Sequence, residues 1–170
     1  MGMRRAVVVA VLVGAFALAM ERPVAAQGLE GTAVMAAKQK LAVRRCGKEG
    51  GISGLTFTVG AGGTWNAETD DATVFAGTST PLGTSGRKLE LTFDAGSLAA
   101  FVDALASDAT SLCGAAVIVE TAEREIFRFG VNRRGTKATL VLKYRFTGQA
   151  GGQPGTATFK LKAKGTWTAP

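Results

Sequence analysis

Apolar and polar residues alternate along most of the chain, and this period of two marks strands with one buried and one wet face. Leu55, Phe57 and Val59 alternate with Thr56 and Thr58, and Leu89, Leu91 and Phe93 with Lys88, Glu90 and Thr92. Phe127, Phe129 and Val131 then alternate with Arg128, Gly130 and Asn132, and Leu140, Leu142, Tyr144 and Phe146 with Val141, Lys143 and Arg145. The last run is the clearest, with Ala157, Phe159, Leu161 and Ala163 on one side and Thr158, Lys160, Lys162 and Lys164 on the other. One-sided burial of this kind belongs to antiparallel sheet, because parallel strands are usually apolar on both faces. Turn chemistry separates the runs at 60–63, 69–71, 83–86, 132–135 and 148–155. The fold class is therefore mainly β, an antiparallel meander of about eight or nine strands that forms a sheet or a partly closed barrel.

One stretch breaks the period. Leu98, Phe101, Val102 and Leu105 recur at three- and four-residue steps, with Ser97 as N-cap and Gly114 beyond the end. This predicts one amphipathic helix over 97–110, packed on the sheet or across one end of a barrel. Residues 32–45 read both ways: the alanines suit a helix, while Met35, Ala37, Leu41 and Val43 share one parity. A strand is favoured there.

The chain opens with Arg4 and Arg5, an apolar run from Ala6 to Met20, and Val24-Ala25-Ala26 ahead of Gln27. A basic start, a short apolar middle and small residues before a cleavage point are the parts of a secretory signal peptide. The apolar run is too short for a spanning helix, which needs roughly 20 residues. Residues 1–26 are thus expected to be removed and 27–170 to form a single β-rich domain, exported to the periplasm or beyond the cell of a bacterium. An outer-membrane barrel is disfavoured, because two Trp and one Tyr cannot build aromatic girdles.

Export changes the reading of the two cysteines, Cys46 and Cys113, since thiols oxidise outside the cytosol. A disulfide between them would close a loop of roughly 70 residues and contribute roughly 4 kcal/mol. The chain has no His. That removes the commonest general base, the usual Ser triad and most transition-metal sites. No catalytic residue, metal ligand or cofactor is nominated, and the protein is read as not an enzyme.

Charge is unevenly spread. The net charge is +4 over 27–48, −8 over 49–123 and +9 over 124–170. Lys143 and Arg145 share one parity, as do Lys160, Lys162 and Lys164 on the next run, so pairing would put five cations on one solvent face. That face is a candidate site for anionic polysaccharide or lipid headgroups; the alternative is a solvated outer face whose lysines keep sheet edges apart. Nucleic acid is disfavoured, because no aromatic residues lie among the cations for bases to stack on.

Other motifs carry less. Gly60-Ala61-Gly62-Gly63 lacks the Lys-Ser/Thr pair of a phosphate loop and reads as a turn. Asp70-Asp71 lacks nearby ligands for calcium and also reads as a turn. Gly63-Thr64-Trp65 in a secreted meander with a late helix resembles lipocalin-like barrels in these three residues only. In lipocalins the motif opens the first strand and the helix follows the last, unlike here, so no family is assigned. The resemblance leaves a ligand cavity open, since a barrel of about eight strands can hold one small molecule, although the Phe and Leu of the inner parity predict a filled interior; a carrier would place its cavity near Tyr144. The functional expectation is a secreted, non-enzymatic binding or interaction module using the basic face, with a small barrel that carries an apolar ligand as the alternative.

Overall fold

A computed structural model of the protein describes residues 29–170; the expected leader over 1–26 lies outside them. The chain forms β1 (Gly31–Val43), β2 (Gly47–Val59), β3 (Thr64–Thr69), β4 (Val74–Pro81) and β5 (Lys88–Phe93), then helix α1 (Ala95–Cys113), then β6 (Val117–Val131), β7 (Lys137–Ala150) and β8 (Gln153–Thr168). Each strand pairs antiparallel with the next, and β1 pairs with β8, so the eight strands close into a barrel. The ambiguous segment is strand through Val43 and then a turn.

Closure turns the alternation into an inside and an outside. Phe57, Leu91, Phe129, Ala138 and Ala163 are all at most 1% exposed. The outward parity of β7 and β8 carries Thr, Lys and Arg. Apolar residues inside and polar ones outside are the reverse of a membrane barrel, whose lipid-facing surface is apolar.

Alternating strand direction sorts the connections. The β1–β2, β3–β4 and β7–β8 turns share one end with α1, and the remaining turns lie at the other. That other end is plugged by aromatic rings. Phe57 stacks on Phe129 with centroids 4.6 Å apart, Trp65 stands 5.6 Å from Phe57, and Trp167 stands 5.4 Å from Phe129. The two Gly-Thr-Trp tripeptides thus supply matching indoles to one plug.

At the first end α1 lies across the opening, touching β1, β2, β4, β5 and β6. Its buried stripe is Phe101, Leu105 and Ala109, and Phe101 reaches among Phe93, Tyr144 and Phe159 with centroids 5.2, 5.4 and 5.4 Å away. The helix starts earlier than expected, because its N-cap is Asp94 and not Ser97. Asp94 Oδ1 accepts from Ser97 N at 2.7 Å, while the Ser97 hydroxyl accepts from Ala76 N at 2.8 Å and fastens the first turn to β4. Gly114 ends the helix at φ 64°, donating its N–H to Thr110 O. The expected disulfide is present: Cys46 in the β1–β2 turn is bonded to Cys113 at the last residue of α1.

The β5–β6 seam is the thinnest, with only three residue pairs, Lys88 to Glu90 against Gly130 to Arg128. Beyond it the Leu91 carbonyl has no ladder partner from β6, and the Arg124 guanidinium donates to it instead. The same group donates to the Thr92 hydroxyl at 2.9 Å and stands 3.5 Å from Glu90. A bond from a charged donor contributes about 1.5–3 kcal/mol, reduced here because the side chain is one-third exposed. Arg124→Ala is expected to destabilise by about 1–2 kcal/mol, read from urea unfolding, whereas Arg128→Ala on the outer face of the same strand should change stability by under about 0.5 kcal/mol.

Candidate functional site

Between the aromatic plug and α1 lies a cavity of about 400 Å³. Phe57, Trp65 and Phe127 form its floor, and Leu55, Phe75, Leu140, Leu142 and Phe159 part of its walls. Phe101, Ala104 and Leu105 roof it from the helix. Polar residues gather at the rim, where Gln39, Ser53, Thr69, Asp70, Asp71 and Asp108 also line it. The expectation of a filled interior is therefore corrected. Phe and Leu do point inward, but so do Ala37 and Ala67, which line the cavity, and a wall lined partly by alanine does not fill the space its strands enclose. Those inward alanines were the sequence signal for a hollow.

The mouth follows from unequal strand lengths. β2 has 13 residues and β3 only 6, so β3 pairs with β2 over Leu55–Val59 and leaves Gly47–Gly54 without a neighbour on that side. Asp70 covers the first free group, its carboxylate accepting from Gly54 N. A Cβ at Gly54 would displace that carboxylate. Asp71 accepts from the Thr69 hydroxyl and, at 3.3 Å, from Thr73 N, and these bonds hold its carboxyl below the usual range. On the far side α1 packs tightly, leaving a void of only about 30 Å³ beside Leu105 and Ala109. Among the described residues, two non-glycine residues have left-handed backbone, Arg45 (φ 73°) and Ala72 (φ 62°), and both lie in turns at this end.

Tyr144 does not line the cavity. Phe93 and Phe101 stand beside it at 6.1 and 5.4 Å, and burial pushes its hydroxyl above the ordinary range against the pull of Arg124.

The five cations expected on one outer face do lie on neighbouring strands. Lys143 pairs with Lys160, Val141 with Lys162, Thr139 with Lys164, and Arg145 with Thr158. Closure adds cations that a strand-by-strand reading missed, because β1 lies beside β8 with Lys40 opposite Lys160 and Lys38 opposite Lys162. Lys48 joins from β2, opposite Ala42. One carboxylate enters the group. Glu125 shares a parity with Phe127 and would face inward, but register shifts on either side of Glu120 and Glu125 mark bulges, and the second turns Glu125 outward. It pairs with Lys143, and its Oε1 stands 2.9 Å from the Arg145 guanidinium. The Lys143 hydrogen bond, with both cationic fields, holds the Glu125 carboxyl below its usual range against partial desolvation.

Residues 60–63 make a short turn between β2 and β3, and Asp70-Asp71 lies in the β3–β4 turn, both as expected. Among the described residues, no three His, Cys, Asp or Glu side chains come together to hold a metal ion. Comparison of the chain with protein families, curated proteins and solved structures found no match.

Proposed function

We propose that this barrel binds a small, mainly apolar molecule, as a non-enzymatic carrier exported to the periplasm or beyond the cell. The observation that carries the reading is the cavity of about 400 Å³ with aromatic and aliphatic walls and polar groups at its mouth. Ligand pockets run from about 300 to 1,000 Å³ and have this distribution of lining. Because the cavity has a mouth, water enters it in the free protein, and water against apolar walls is an occupant that an apolar molecule displaces favourably. Export is supported by the disulfide, which persists in oxidising compartments.

The test uses the protein extracted free of lipid and titrated with a fluorescent apolar probe. Saturable binding is expected, with a change in the emission of Trp65, which lines the cavity. Ala104 is exposed on the helix at the mouth. Ala104→Trp is therefore expected to weaken the probe at least about tenfold with little change in melting temperature. An extracted protein that leaves the probe dark at saturating concentration would sink the carrier reading.

A further inference from the structure

Five of the outer cations surround a hollow. Lys40, Lys48, Lys143, Arg145 and Lys160 line a depression of about 310 Å³ on the barrel wall, with Ala42, Thr158 and Glu125. Register explains its shape. The row Lys48, Ala42, Thr158, Arg145 runs across β2, β1, β8 and β7, so two small residues form a floor between two long cations. The row Lys40, Lys160, Lys143 lies beside it on β1, β8 and β7.

Lysines on strands often protect exposed edges, and that is the ordinary account of such residues. It does not apply here, because β1, β7 and β8 each have a neighbour on both sides and a closed barrel has no edge at these strands. Like charges directly opposite each other are, moreover, unfavourable. Lys160 faces Lys143 on one side and Lys40 on the other, while Glu125 engages only Lys143 and Arg145. Lys40 and Lys160 thus add repulsion that no edge requires and that, among the described residues, no carboxylate within 4 Å relieves.

We infer that the hollow binds a compact, multiply charged oxyanion, a phosphate or sulfate ester group carried on a larger molecule. Four ammonium groups and the Arg145 fork line it, Lys143 and Arg145 being shared with Glu125, and the Thr158 position offers a hydroxyl among them. The concavity favours one compact group over a flat membrane.

The experiment is calorimetric titration of the full chain with inorganic pyrophosphate at low ionic strength. One site per chain is expected, weakening as salt rises. The Lys40→Gln/Lys160→Gln double variant is expected to lose at least about tenfold in affinity while melting no lower than the parent, since it also removes the facing charges. Lys162→Gln/Lys164→Gln, on the same wall outside the hollow, should lose less than about threefold, the part carried by the general field. Equal losses in both variants, or no heat at millimolar pyrophosphate, overturn the site. Binding to phosphatidylglycerol vesicles without binding to pyrophosphate also overturns it and assigns the wall to a membrane surface. The Ala104→Trp variant should bind pyrophosphate like the parent, so failure here and failure of the cavity reading are separable.

Discussion

The Cys46→Ser/Cys113→Ser variant is expected to lose about 3–4 kcal/mol of stability and to melt roughly 10 °C lower. The bridge joins residues 67 apart in sequence, so in the unfolded chain it forbids a large set of open conformations. A second effect acts on the folded state. α1 is held at its start by Asp94 and Ser97, through its middle by Phe101, Leu105 and Ala109, and at its last residue by the disulfide alone among covalent ties. The mouth opens beside Ala104 and Asp108, from the middle of the helix toward that tie. Without it, the last two turns should exchange amide hydrogens faster than the first two, and a cavity probe should dissociate faster. A loss below about 1 kcal/mol with unchanged exchange would show that packing alone fixes the helix.

Trp65→Ala is expected to cost about 3–5 kcal/mol, the range for removing a buried large aromatic. Trp65 is 3% exposed and touches Phe57, Phe93 and Phe127, with ring centroids 5.2 to 5.6 Å away. Its indole N–H is shared between the carbonyls of Thr78 at 2.9 Å and Thr92 at 3.2 Å, so it ties β4 to β5 as well as filling space. The ring lies over Gly77, where a Cβ would come within 2.8 Å of it and 1.9 Å of Thr92 O. Trp65→Phe separates the two roles: it keeps most of the ring, loses the donor, and should cost about 1–2 kcal/mol less than Trp65→Ala. Because Trp65 floors the cavity, the alanine variant should also accept a bulkier probe than the parent. Urea unfolding reads the first effect and probe titration the second; equal costs for the two variants would assign the stabilisation to the hydrogen bonds and not to the ring.

What could be read in advance follows from which forces are local. Alternation at Leu140–Phe146 and Ala157–Ala163 declares its inner face because one side meets a core and the other water. β4 has no such declaration: Val74 is exposed, and Gly77, Thr78 and Ser79 give no periodic contrast. The helix start was misplaced because Ala95 and Gly96 add nothing to an apolar stripe, and the cap chemistry of Asp94 counts only once the strand before it is known to stop at Phe93. Glu125 was unreadable for another reason. Parity assumes an unbroken ladder, and a bulge resets it. Lys38, Lys40 and Lys48 became neighbours of Lys160 and Lys162 only through the pairing of β1 with β8. The cavity needed volumes on all eight strands together, although the inward alanines were in plain view.

Barrel closure also sets an order of events during synthesis. Among the described residues β1 is made first, and it cannot complete its pairing until β8 is released, since Thr32 pairs with Thr168 and Val43 with Ala157. Until then the β1–β2 hairpin has an open flank, and the apolar faces of the early strands have no interior to enclose. The three long strands β6, β7 and β8 are joined by short turns and can zip locally once made, but pairing across the whole chain comes late and slowly. Until β8 emerges, the unpaired flank of β1 stays open to partners outside the barrel.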